Sequence, residues 1–254
     1  MNGGLIIPDV VPALVLAATL ATGGASTVDT QSRTVSLPPG RGLTLEITVG
    51  DVRIVGEARQ DALIEIVRRV PSAEALKRIP IQIEETLTEV RITAIQQAGE
   101  TDPALRTDVT LRVPHTSSLT SIRLLEGRLR LGALRGLVTA DVRRGSIDAA
   151  DIAGTLRLET GIGDITADRA RLSPGGLLRL RAFNGDVRLT LATRPRDARV
   201  MALALNGSIR SDIPLALKDS WGPRWGEATL GTGEPVISID VITGAIDIRA
   251  PQGR

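Results

Sequence analysis

Gly127-Arg-Leu-Arg-Leu131, Gly136-Leu-Val-Thr-Ala140, Gly145-Ser-Ile-Asp-Ala149, Gly154-Thr-Leu-Arg-Leu158 and Gly163-Asp-Ile-Thr-Ala167 follow one another with their glycines nine residues apart. The unit returns at Gly176-Leu-Leu-Arg-Leu180 and Gly185-Asp-Val-Arg-Leu189, and again at Gly207-Ser-Ile-Arg-Ser211 and Gly244-Ala-Ile-Asp-Ile248. A fixed short period of this kind is the signature of a repeat architecture. Alternate residues of a strand face opposite sides, so the apolar third and fifth positions of each unit point one way and the fourth points the other. Leu129, Leu131, Ile147, Ala149, Ile165 and Ala167 are therefore expected inside, with Arg130, Thr139, Asp148, Arg157, Thr166 and Arg188 outside. Glycine opens each unit because the chain turns a corner there, in a conformation that a Cβ resists. The expected fold is an all-β β-solenoid over residues 117–254, preceded by a small antiparallel β region with one short helix.

Two nine-residue units would close a flattened coil of eighteen residues, and three a triangular coil of twenty-seven; the spacing permits both. In the eighteen-residue register Leu129, Ile147 and Ile165 form one internal column and Leu131, Ala149 and Ala167 another. Arg130 then lies over Asp148, an opposite-charge pair between neighbouring strands.

Residues 31–116 read as the antiparallel region. Leu45, Ile47 and Val49 alternate, Gly50-Asp51 breaks the run, and Ala62–Val70, Ile81–Gln96 and Thr107–Pro114 supply further strands. Pro71–Ile79 is expected to form the short helix, with Ser72 as its N-cap. This region is expected to abut the first coil and cover its open edge. At the other end, the Gly- and Pro-rich segment 218–235 reads as a long loop carrying Trp221 and Trp225. Its tryptophans are either a cover for the last coils or a platform for a sugar or peptide, and both are carried forward as candidate ligand-binding residues.

Residues 1–30 stand apart. Val10–Thr22 is an apolar run of thirteen residues, shorter than the roughly twenty a spanning helix needs, and the small residues Thr22–Thr27 follow it. This fits a signal peptide or a short apolar leader, although Pro8 and Asp9, and no Lys or Arg, precede the run. Any membrane association is expected through this segment alone, and the chain is expected to be exported to the periplasm, cell surface or envelope.

Composition narrows the chemistry. Aromatic residues make up 1% of the 254 residues, so the core has to be built from Val, Ile, Leu and Ala. There is no cysteine, which removes disulfides and thiol chemistry. The net charge is +2, and the arginines are dispersed among acidic residues instead of clustered, so no nucleic-acid partner is expected. The single histidine, His115, follows Val113-Pro114 and reads as a junction residue, which leaves no Ser-His-Asp triad and no histidine-rich metal site. Asp51, Asp164 and Asp186 recur too sporadically for a calcium β-roll and are read as corner caps. Gly161-Ile-Gly-Asp164 opens a strand and not a helix, so it is no phosphate loop. Glu84, Glu85 and Glu89 look like a solvated strand, and no carboxylate pair for glycoside cleavage is expected from the repeat. Neither a catalytic residue nor a cofactor is assigned.

Several stretches resemble one known group. Thr107–Pro114 (TDVTLRVP), the run Ile122–Asp168, and the ending made of Leu205–Pro214 (LNGSIRSDIP), Leu230–Pro235 (LGTGEP) and Val236–Arg249 (VISIDVITGAIDIR) are similar to the bacterial putative-adhesin domain family. The resemblance covers roughly residues 35 to 250. It implies a β-solenoid of an exported or membrane-associated bacterial protein, with no family-wide catalytic residues, and a partner that is an envelope or extracellular protein or glycan. The expected function is a non-catalytic adhesin-like scaffold presenting a binding surface. The alternatives are a self-assembling bactofilin-like solenoid and, further off, a β-helix polysaccharide-active enzyme.

Overall fold

The computed structural model describes residues 27–97, 99, 101–218 and 222–251. These form β1 (Thr27–Ser36), β2 (Gly42–Val49), β3 (Val52–Glu57), β4 (Asp61–Val70), β5 (Ile81–Glu85), β6 (Glu89–Ala94) and β7 (Arg106–Pro114). The middle of the chain gives β8 (Ser118–Glu126), β9 (Leu129–Gly132), β10 (Leu137–Arg144), β11 (Ile147–Ala150), β12 (Thr155–Ile162) and β13 (Ile165–Ala170). The remainder is β14 (Leu177–Asn184), β15 (Val187–Leu191), β16 (Ala198–Ser211), β17 (Ala216–Lys218), β18 (Arg224–Leu230) and β19 (Val236–Arg249). The protein is all-β, and its nineteen strands belong to one large mixed sheet that is not closed.

Within that sheet the parallel pairings fall into two ladders. The first runs β6-β2-β8-β10-β12-β14-β19-β16. The second runs β7-β3-β9-β11-β13-β15 and continues into the C-terminal halves of β19 and β16. β16 and β19, each 14 residues long, cross from one ladder to the other and join them. Leu129, Ile147 and Ile165 stand opposite one another, as do Leu131, Ala149 and Ala167, which is the eighteen-residue register. These columns are fully or almost fully buried, and the whole core is Val, Ile, Leu and Ala with no aromatic side chain.

The corners explain the repeat. Gly50, Gly127, Gly145, Gly163, Gly185 and Gly244 form a column, each with φ between 137° and 154°. A Cβ on Gly145 would lie 1.7 Å from the carbonyl oxygen of Gly127, and one on Gly185 would lie 2.0 Å from that of Gly163. Neighbouring chain segments approach too closely at this corner for any side chain, whatever its polarity.

Three expectations need correction. Residues 31–116 are antiparallel only in the pairs β1–β4, β4–β7 and β5–β6. β2 and β3 pair in parallel with β8 and β9, so the ladders begin near Gly42 and not at Ser117. The reason is visible in Gly50-Asp51-Val52-Arg53-Ile54, which is another copy of the unit and occupies the glycine column. The short helix is one 3-10 turn, Glu74–Arg78, whose cap position is Ala73 and not Ser72, with no side-chain capping bond. Segment 218–235 is not one long loop: β18 lies in it and pairs antiparallel with β16 and β17.

The antiparallel strands at the N-terminal end are pinned by Arg68. Its guanidinium meets Asp29 at 2.8 and 2.5 Å and donates to the carbonyl of Ile79 at 2.8 Å, tying β1, β4 and the 3-10 turn together. The Arg68 and Asp29 side chains are only 11% and 16% exposed, so the charges are compensated by each other more than by water. The leader assigned to residues 1–30 lies outside the described residues up to residue 26, and Thr27–Thr30 already belong to β1. Among the described residues no helix is long and apolar enough to cross a membrane.

Candidate functional site

The aspartates of the corners serve the backbone. Asp51 Oδ1 accepts from the Arg128 amide at 3.0 Å, Asp164 Oδ1 from the Asp186 amide at 2.8 Å, and Asp186 Oδ1 from the Ala245 amide at 2.7 Å. Each carboxylate caps an amide of the neighbouring corner, where the turn leaves the N–H without a ladder partner. Their spacing looked sporadic because Arg128 and Ser146 fill the same column between them, joined by a 3.0 Å bond from Arg128 Nε to Ser146 Oγ. His115 is likewise a corner residue: Nδ1 lies 2.8 Å from the Ala133 carbonyl, so Nδ1 carries the hydrogen.

The opposite corner is held by charge. Ala133, Asp151 and Arg169, eighteen residues apart, all have φ of 50–54°. Arg169 grips Asp151 through Nε at 2.9 Å and a second nitrogen at 2.6 Å. This fork lowers the Asp151 pKa from its ordinary 3.8 and raises that of Arg169. Asp148 does stand opposite Arg130, yet its ion pair is with Arg128, at 3.6 Å.

Outer-face chemistry is distributed unevenly along the first ladder. One row, read across neighbouring strands, is Glu46, Arg123, Asp141, Glu159, Arg181, Asp240, Leu203 and Trp225. Asp141 and Glu159 form a carboxylate pair that sequence spacing did not anticipate, because they lie on the strand flank beyond the repeat unit. They stand between Arg123 and Arg181 in the row, so each carboxylate has an arginine on its other side.

Toward the C-terminal end the row turns apolar. Trp225 on β18 faces Leu203 on one side and Lys218 on the other, and is half-buried. One step along, Phe183, Ile242 and Leu205 are aligned by the pairs of their neighbours Ala182, Val241 and Ala204. Phe183 is 37% exposed, with the Arg181 guanidinium 4.9 Å from its ring centre. Trp225 and Phe183 thus occupy one face, three strand spacings or roughly 14 Å apart across the sheet and two residues or roughly 7 Å apart along it. Trp221 lies outside the described residues. Phe183 was not singled out from sequence; its signal was an aromatic directly following Ala182, and so on the outward side of a repeat strand.

These features define an all-β protein of stacked parallel strands whose polar side chains turn outward and whose corner carboxylates are engaged by backbone. No family model and no curated protein matches the chain. Among solved structures it is similar to one from Clostridium sporogenes described as a putative cell adhesion protein, at 14% identity and a TM-score of 0.47, covering 88% of this chain and 100% of that one. A Bacteroides fragilis structure described as a putative adhesin aligns at 11% identity, a TM-score of 0.37, and 87% and 97% coverage. Another, from Parabacteroides distasonis, is described as a putative lipid binding protein, at 7% identity, a TM-score of 0.32, and 88% and 97% coverage.

Proposed function

We propose that the protein is an exported, non-catalytic, adhesin-like β-solenoid that presents a binding surface in the bacterial cell envelope. Its coils run from β2–β3 to β16, with the antiparallel strands of residues 31–116 as an N-terminal cover and β17–β18 as a C-terminal one. The observation that carries the reading is the contiguous apolar stretch Phe183, Ile242, Leu205, Leu203 and Trp225, which includes both aromatics described, at the C-terminal end of an outer face that is elsewhere mostly polar, with Leu125 an exposed apolar exception. Aromatic side chains kept out of the core, in a protein with almost none, are best used at a contact. Partners of this surface are envelope or extracellular proteins or glycans, in line with the exported family that the motifs resemble. Neighbours with adhesin names are consistent with an extracellular or surface address.

The test has two arms. A C-terminally tagged protein, expressed in its own cells, is expected outside the cytoplasm and accessible to added protease in intact or outer-membrane-permeabilised cells. The purified protein is expected to bind on a glycan array or to intact cells, with signal reduced about tenfold by Phe183→Ala combined with Trp225→Ala while the thermal melt is unchanged. An uncleaved cytoplasmic product would overturn the address, and binding insensitive to the double variant would overturn the surface.

A further inference from the structure

The repeat is regular until one corner, and there it expands. Gly127, Gly145 and Gly163 are eighteen residues apart, but Gly185 follows Gly163 by twenty-two. The corner between β11 and β12 is the four residues Asp151–Gly154, whereas that between β13 and β14 is the six residues Arg171–Gly176. The next corner on the same side, Ala192–Asp197 between β15 and β16, also has six, and Gly231–Pro235 between β18 and β19 has five. Insertions stacked on one edge of a repeat protein are where ligand sites arise, because the coils below hold the loops in place.

These three loops enclose an open cleft of about 830 Å³. Arg171, Arg194 and Arg196 line it. Arg194 also donates from one guanidinium nitrogen to the Asp212 carbonyl at 3.1 Å, which fixes the position of its head group. Arg171 and Arg196 are exposed and make no ion pair among the described residues. Two carboxylates face these three guanidiniums, Glu234 and Asp197, the latter also accepting from the Thr232 amide at 2.9 Å, so the cleft carries a net positive charge. Between the charges the wall is apolar and stiff: Leu172, Pro174, Pro195 and Pro235, each proline fixing its own backbone. Thr193 and Thr232 add hydroxyls.

We infer that this cleft is a binding site for an acidic oligosaccharide. Planar guanidiniums pair with carboxylate, sulfate or phosphate groups through two parallel hydrogen bonds, while the proline and leucine surfaces suit the apolar faces of sugar rings and the threonines their hydroxyls. The volume lies within the range of small-ligand sites, about 300–1,000 Å³, and exceeds the needs of a lone anion. The ligand class rests on the adhesin-like reading above; the site is separate from the Phe183–Trp225 face.

Calorimetric titration of the full chain with trigalacturonate and with a heparin-derived tetrasaccharide, against neutral maltotriose and inorganic phosphate, tests it. At least one acidic oligosaccharide is expected to bind, more weakly as salt is raised, and about tenfold more weakly to Arg171→Ala/Arg196→Ala, whose melt stays at the wild-type value. Phe183→Ala/Trp225→Ala is expected to leave this binding unchanged, which separates failure here from failure of the surface proposed above. No binding of either acidic oligosaccharide, phosphate binding of equal affinity, or indifference to the arginine variant would each overturn the inference.

Discussion

At the scale of single residues, the strongest constraint is the absence of atoms. Gly145 has φ 142°, and a Cβ there would meet the Gly127 carbonyl oxygen at 1.7 Å, a backbone atom that cannot swing aside. Gly132, also in the repeat region, has nothing within 4 Å of its Cβ position. Gly145→Ala is therefore expected to cost about 4 kcal/mol or to abolish soluble folding, because relief requires two coils to separate. Gly132→Ala is expected within about 0.5 kcal/mol of wild type. Urea melts of the two variants decide the matter: equal midpoints would show that close coil contact does not hold this corner. Side chains answer to the same geometry, since the glycine column leaves amides for Asp51, Asp164 and Asp186 to cap. The carboxylates that look most like metal ligands in the sequence are thus already engaged by the turn.

The two kinds of corner along the ladders differ, and so does what the sequence discloses of them. The glycine corner was legible because only glycine fits it, and with it came the eighteen-residue register and the inward columns of Leu129 and Leu131. The opposite corner holds Ala133, Asp151 and Arg169 at φ of 50–54°, a left-handed region that other residue types can enter, so it carries no such mark. The first coil was hidden for another reason: Gly50 and Gly127 are neighbours in the column but 77 residues apart, with four strands, β4 to β7, inserted between. β18 was hidden by its own composition, glycine and tryptophan masking a strand that pairing with β16 enforces. Of the candidate site, Trp225 was legible as an unusual residue but not as a member of a sheet face shared with Phe183. The left-handed corner has a pH signature. Arg169 holds the Asp151 pKa below 3.8, so the carboxylate contributes stability that is present above its unfolded pKa and lost as pH falls through the lowered one. Asp151→Asn keeps a residue type that tolerates φ near 54° but removes the charge. Its melting temperature is expected slightly below wild type at neutral pH, with the gap closing in acid as the pH falls through the lowered Asp151 pKa; a gap independent of pH would mean the fork contributes through shape alone.

For the whole molecule the decisive features are its ends, because a stack of parallel strands propagates indefinitely unless something stops it. The first ladder stops at β5, antiparallel to β6 and ending in Glu84 and Glu85, and at the other end with β18 and the three-residue β17. The second stops at β1 on the N-terminal side, also antiparallel, and on the C-terminal side at Gly207–Ser211 of β16. That last edge is five residues long and carries the exposed Arg210. The chain adds its last parallel strands out of order, laying down β16 and then threading β19 between it and β14–β15. An end-to-end filament would need two bare parallel edges in matching register, and antiparallel or short charged edges supply neither. The protein is accordingly expected to remain monomeric, with a light-scattering mass near 26.8 kDa, or less by the length of any cleaved leader, that is constant from about 1 to 100 µM. A mass that grows with concentration, or fibres under the electron microscope, would favour a self-assembling scaffold and turn the outer faces from binding surfaces into the sides of a filament.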